Sequence, residues 1–254
     1  MSARLTKAIL TISIDMDAPD AATQLVAHRQ RDAILQRLLA MFSERRLPAT
    51  WCASDPLSAT TLDIGTTHEL ALAVGDESSA RGTLARELVQ RLSSLKFQGL
   101  AVNTLVARSQ SVVEHLDVVS GHGIVAVRHA AGMGVGKSSN RMQPSLLRFG
   151  VWGFPVSCEL PGRSRWLPGG GRHAARRQID RAIAERGLVQ LVIDAPRLAA
   201  RGRSAERALA SLLADVDQRR RQGVLEIATI GATAARLAGQ QESRPSRSIL
   251  RPAA

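Results

Sequence analysis

Asp15 and Asp17 close an apolar run, Ala8-Ile9-Leu10-Thr11-Ile12-Ser13-Ile14, whose β-branched content predicts a buried strand. Carboxylates two residues apart on an extended chain project to the same side, so both can face one pocket. In an α/β protein, ligands bind in the crevice beyond the C-terminal ends of the strands. The competing reading is that these acids cap the helix predicted from Ala21, a task for which one acid suffices. Asp55, Asp76, Glu77 and Asp194 fall at other predicted strand ends. Gathered on one rim with Asp15 and Asp17, they make an oxygen-rich cluster that suits Mg2+, Mn2+ or Ca2+ better than Zn2+. Like charges at such proximity need a cation, or raised pKa values, to coexist.

Other motifs point to weaker alternatives. Ala131-Gly132-Met133-Gly134-Val135-Gly136-Lys137-Ser138 matches a relaxed phosphate-binding loop, and Val189-Gln190-Leu191-Val192-Ile193-Asp194 resembles its usual acidic partner strand. A helix should start at Lys137 and lend its N-terminal dipole. The following Ser138-Ser139-Asn140-Arg141-Met142-Gln143-Pro144 is a poor helix start, because Pro144 would break it. Gly169-Gly170-Gly171 precedes a basic helix with Arg172, His173, Arg176 and Arg177, which reads either as an anion cradle or as a loop entering a solvated face. Trp152 and Trp166 could stack on a sugar ring, and Trp152 is equally suited to the core. His115, His122 and His129 lack metal-ligand spacing, and only His129 could reach the rim. No nucleophile-elbow motif is present.

Composition narrows the partners. Aromatics make up 3% of the chain and Tyr is missing, which argues against base-stacking surfaces for nucleic acid. The net charge of +12 comes almost wholly from Arg, spread over most predicted helices among Glu, Asp and Ala rather than gathered in an arm. Two cysteines, Cys52 and Cys158, are too few for a disulfide framework or zinc motif. No stretch reaches the roughly 20 apolar residues of a membrane span. Arg4 and Lys7 before an apolar run faintly resemble a signal peptide, but Asp15 and Asp17 interrupt it. The expectation is a cytoplasmic protein with no membrane partner.

Short apolar runs alternate with amphipathic segments, the pattern of a parallel α/β sheet. Strands are expected at 8–14, 48–53, 69–74, from 100, at 123–128, 146–152, 189–193 and 225–228. Helices are expected at 21–46, 79–95, 111–119, 172–186 and 204–221, with a short one ending near 238. Leu25, Ile34, Leu35, Leu38, Leu39 and Phe42 give the first helix one apolar face. Seven or eight strands with no linker predict one closed or nearly closed β/α barrel, with an open doubly wound sheet as the alternative. Residues 1–239 form the expected domain and 240–254 a basic, disordered tail.

Together these residues resemble the polysaccharide deacetylase (NodB-homology) family over about residues 7–238. Asp15-Met16-Asp17 is similar to the family's first motif, and Leu47-Pro48-Ala49-Thr50-Trp51 to its second strand. Thr67-His68-Glu69-Leu70-Ala71-Leu72 resembles the lead into the second motif. Arg128 falls near the Arg of the third motif. Phe149-Gly150-Val151-Trp152-Gly153-Phe154-Pro155 with Leu191-Val192-Ile193-Asp194 resembles a subgroup pattern, and Gln222-Gly223-Val224-Leu225-Glu226 with Thr229 fits the closing segment.

The resemblance implies a NodB-like distorted β/α barrel of seven or eight mostly parallel strands, and metal-dependent hydrolysis of an amide C–N bond on an N-acetylated sugar. Asp15 would be the base, Asp17 the metal carboxylate, and Arg128 would orient substrate; Trp152, by its aromatic face, is the other candidate to touch substrate. The two metal histidines fall on Ala73 and Glu77, and the seventh-strand His on Asp194. An open zinc site needs imidazoles that these positions lack. The expectation is thus a divergent, catalytically degenerate member that binds a carbohydrate or small polar ligand. Any divalent cation would rest on Asp17, Asp76, Glu77 and Asp194. The alternative from another class is a non-enzymatic binding or regulatory module using its Arg-rich helices.

Overall fold

A computed structural model describes residues 5–17, 24–55, 62, 64–75, 80–130, 143–162 and 170–242. The strand β1 (Ala8–Asp15) leads to helix α1 (Gln24–Glu44), then β2 (Thr50–Ala53) and β3 (Glu69–Val74). Helix α2 (Arg81–Phe97), β4 (Thr104–Ala107), the short helices α3 (Gln110–Glu114) and α4 (Leu116–Gly121), and β5 (Ala126–His129) follow. The second half holds β6 (Ser145–Leu146), β7 (Trp152–Pro155), β8 (Cys158–Leu160), α5 (Gly170–Glu185), β9 (Leu188–Asp194), α6 (Ala195–Arg221), β10 (Leu225–Ala228) and α7 (Ile230–Glu242).

All strand pairings but one are parallel; β6 runs antiparallel to β7. The sheet runs β7-β5-β4-β3-β2-β1-β9-β8, with β10 also on β1. Along β1, residues Ala8 to Thr11 face β10 and Ser13 to Asp15 face β2, while β9 follows the other edge in full. The ring closes through one extended segment. Its first half, β7, pairs with β5, and its second half, β8, pairs with β9. Between them Val156 N donates to the His129 carbonyl and Ser157 N to the Gln190 carbonyl, both at 3.0 Å. Closure leaves the barrel without a free edge at this seam.

The two faces of β1 explain the two-part core. Leu10, Ile12 and Ile14 point outward and are fully buried under helices, in one cluster with Ile34, Leu35, Leu38 and Phe42 of α1 and Leu209, Leu212, Leu213 and Val216 of α6. Residues of the opposite parity face the barrel axis. At the lower end Ile9, Leu188, Ala126, Trp152 and Phe154 pack with Ile230, Ala234 and Leu237 of α7, which plugs the barrel.

Several boundaries differ from the sequence expectation. The fourth strand starts at Thr104 rather than Leu100. The expected strand 146–152 is divided by a turn in which Phe149 and Gly150 take positive φ, 58° and 75°. The expected helix 111–119 breaks at His115, and α6 begins at Ala195, not Ser204, with a break at Gly202. Helix α7 extends to Glu242, and residues 243–254 of the expected tail lie outside the described residues. The apolar N-terminal run is β1, the central strand. No described helix is long and apolar enough to cross a membrane.

Candidate functional site

The interior face of β1 presents Thr11, Ser13 and Asp15 in succession. These and their partners form a polar chain rising through the barrel. Thr11 Oγ1 donates to Gln190 Oε1 on β9, and Gln190 Nε2 donates to Ser13 Oγ at 2.9 Å. Arg128 Nη1 from β5 donates to the same Ser13 oxygen at 2.6 Å. Arg128 Nη2 then meets Asp15, 3.0 Å from Oδ2 and 2.7 Å from Oδ1. Thr11, Ser13 and Gln190 are fully buried and Arg128 is 5% exposed. Burial alone would pull the guanidinium's pKa down; the Asp15 charge, with smaller help from Cys52 and Glu159, more than reverses this. Arg128 is thus a permanently charged group whose counterion is Asp15.

Above this pair a cavity of about 190 Å3 opens at the C-terminal ends of the strands. Its apolar wall includes Val106, Val156 and Val192, and its charged rim carries Asp15, Asp17, Arg108, Arg128, Glu159, Asp194 and Arg197. The structure therefore brings together Asp15, Asp17, Asp194 and Arg128 as anticipated; Asp55 is not in the lining. Asp15 and Asp194 are register partners on adjacent strands. Asp76 and Glu77 lie outside the described residues, as do Lys137 with its loop, Trp166 and Gly169.

Each described acid already has a protein partner. Asp17 Oδ2 accepts the Ser54 N–H, and its Oδ1 lies 3.7 Å from Arg31. Asp194 caps α6 by accepting the Arg197 N–H at 2.9 Å, and pairs with the Arg197 side chain at 3.1 Å. Burial nevertheless pushes the Asp194 carboxyl above the usual range, against the lowering effect of Arg197. Arg197 also approaches Glu159, at 4.0 Å.

The described residues do not by themselves make a catalytic metal site. Ala73, where the resemblance would place the first imidazole, is buried among Cys52, Ala71 and Val106 and offers no side-chain donor atom. Among the described residues no three His, Cys, Asp or Glu side chains are placed to hold an ion. The cation at the barrel axis is the Arg128 guanidinium.

Trp152 does not join the mouth. It sits at the start of β7, among Ile9, Leu188 and α7 at the lower end of the barrel. Strand parity turns it inward, and its position at the start of the strand places it far from the rim. His129 borders the cavity, but its Nδ1 lies 3.0 Å from the Ala130 carbonyl, and burial lowers its pKa. His68 supports the fold. Its Nδ1 accepts the Ala49 N–H at 3.2 Å, and its ring meets Trp51 edge-on at 5.9 Å. Burial pushes the Cys158 thiol up to about 12 and raises Cys52 as well, so both are inert.

Arg108 was not anticipated. It follows β4 directly, on the inward parity of Thr104 and Val106. Placing the fourth strand at Leu100 hid this. The signal available was an Arg closing the apolar run Thr104-Leu105-Val106-Ala107, the same pattern that marks Asp15.

No protein-family model matches the chain, and no curated protein matches it in sequence. Among solved structures, a protein from Mycobacterium smegmatis assigned as a polysaccharide deacetylase superposes with a TM-score of 0.72 at 15% identity, over 100% of this chain and 99% of that one. The 4-alpha-glucanotransferase of Thermococcus litoralis superposes with a TM-score of 0.62 at 10% identity, over 90% of this chain and 40% of that one. The expected architecture is borne out: the chain has the distorted β/α barrel fold of the polysaccharide deacetylases.

Proposed function

We propose that this protein is a deacetylase-like barrel that binds a carbohydrate at the mouth above Asp15 and Arg128, without the metal-dependent hydrolysis that the resemblance implies. The observation that carries the reading is the Asp15–Arg128 pair at the floor of the cavity, with Ala73, buried and outside the lining, where the resemblance would put an imidazole. A base held by a buried guanidinium, with no described cluster to activate water, can orient hydroxyl groups. It supplies no nucleophile. Both superposed proteins carry carbohydrate-directed names, which supports a sugar as the ligand. At about 190 Å3 the cavity is below the roughly 300 Å3 of common drug-sized sites, which favours one sugar ring. The reading also takes the protein to work in the cytoplasm.

Saturation-transfer NMR with glucose, N-acetylglucosamine and glucuronate, paired with an acetate-release assay in Zn2+, Mg2+ and Mn2+, tests it. At least one sugar should bind, more weakly by about tenfold in Asp15→Asn, with no acetate released. Acetate release that depends on an added ion and disappears in Asp17→Asn would establish a hydrolase instead. Silence from every sugar would end the carbohydrate reading.

A further inference from the structure

The mouth is electrically lopsided. On the β8–β9 side stand two acids, Asp194 and Glu159, with Arg197 3.1 Å from the first and 4.0 Å from the second. Across the cavity, Arg128 is committed to Asp15 and Ser13. Arg108, at the end of β4, has no such commitment. It lines the same cavity and forms no ion pair with any described residue. It follows β4 on the inward parity of Thr104 and Val106 and is half-buried. A half-buried guanidinium beside an apolar wall, with no counterion among the described residues, is a fork that matches an oxyanion.

We infer that the ligand is an acidic sugar, its oxyanion held by Arg108 and its hydroxyl groups turned toward Asp194 and Glu159. This rests on the carbohydrate reading above and narrows it. Carboxylate and phosphate groups share the required chemistry, so a uronic acid and a sugar phosphate are the two sources. Neutral sugars would leave Arg108 uncompensated and bind less well.

Calorimetric titration with glucose, glucuronate and glucose 1-phosphate separates the possibilities. At low salt, one or both acids should bind at least tenfold more tightly than glucose, and the tighter one names the source. Arg108→Gln should bring both acids down to the affinity that the same variant has for glucose, and Arg108→Lys should restore part of the preference. Equal affinity for glucose and both acids would overturn the inference and leave the carbohydrate reading standing. An acid preference that survives in Arg108→Gln would also overturn it, placing the anion elsewhere. If none of the three binds, the carbohydrate reading itself falls.

Discussion

The Asp15–Arg128 pair has to be judged as a buried ion pair, because its energetics set what the mouth can do. Taking both charges out of water costs several kcal/mol per ion, and their attraction recovers this only when the remaining donors are also satisfied. Here Ser13 takes the second Arg128 nitrogen and Gln190 supports Ser13, so the guanidinium is held from below. Removing one partner should therefore cost more than removing both. Arg128→Met leaves Asp15 without its cation and should destabilise the fold by about 3 kcal/mol; Asp15→Asn strands a buried Arg128 and should cost a similar amount. The double variant should be less destabilised than the two single losses added together. Urea unfolding of the four proteins measures the coupling. Additive losses would mean that the charges do not depend on each other, and that the mouth is held by its apolar wall.

Among the elements, α7 shows how closely a helix backbone must approach the Glu69 carboxylate for the barrel to be plugged. Its first turn is received by side chains from two strands: Thr50 Oγ1 accepts the Ile230 N–H at 3.0 Å, and Glu69 Oε2 accepts the Gly231 N–H at 2.9 Å. Thr50 and Thr104 hydroxyls donate to the same carboxylate. A Cβ on Gly231 would lie 2.5 Å from Glu69 Oε1, so Gly231→Ala must displace a carboxylate held by three donors, at a cost of about 1–3 kcal/mol. Two turns later Gly239 is exposed and has nothing within 4 Å of a modest side chain, and Gly239→Ala should stabilise by up to about 1 kcal/mol. Thermal melts of the two variants should move in opposite directions; a shared direction would refute this account of the plug. The sequence makes some of these elements plain and conceals others, for physical reasons. β1, β3 and β9 are legible because buried parallel strands are continuous apolar runs. So are Asp15, Asp17 and Asp194, which end two of them. β8 is three residues long, Cys158-Glu159-Leu160, and carries no periodicity; it is a strand only because closure brings it to β9. The fourth strand was displaced because Leu100, Ala101 and Val102 are as apolar as Thr104 to Ala107, and only pairing with β3 and β5 selects the latter. That displacement concealed Arg108. Trp152 was drawn toward the site by its chemistry, whereas strand parity and position put it in the plug.

At the scale of the whole molecule, stability is tied to protons and net charge together. The formal charge is +12 with every histidine neutral, and the six histidines would add to it on acidification. Many arginines are spent on neighbours: Arg37 on Glu206, Arg176 on Asp215, Arg219 on Asp180, Arg220 on Asp217. The surplus still makes the folded chain repel itself, and salt screens that repulsion over about 8 Å at physiological strength. His68 and His129 act differently. Burial lowers both below the ordinary 6.5, so the folded protein binds fewer protons there than the unfolded chain. Stability from this source is complete above about pH 6.5 and is lost as pH falls through the depressed folded values. Asp194 has the opposite sign: its raised folded value favours the fold at low pH, and that contribution is lost as pH rises from the ordinary 3.8. The two windows open from opposite ends, so the first loss below neutrality belongs to the histidines. Lowering pH from about 7.5 to about 5.5 should reduce the melting temperature by several degrees, at about 2–4 °C per kcal/mol for a chain of this size. In roughly 0.5 M NaCl most of the drop should remain, because salt screens buried sites weakly. In His68→Gln, which keeps an acceptor for the Ala49 N–H, the drop should shrink. A drop that salt abolishes and His68→Gln leaves unchanged would assign the acid sensitivity to surface arginines rather than to the imidazoles in the core.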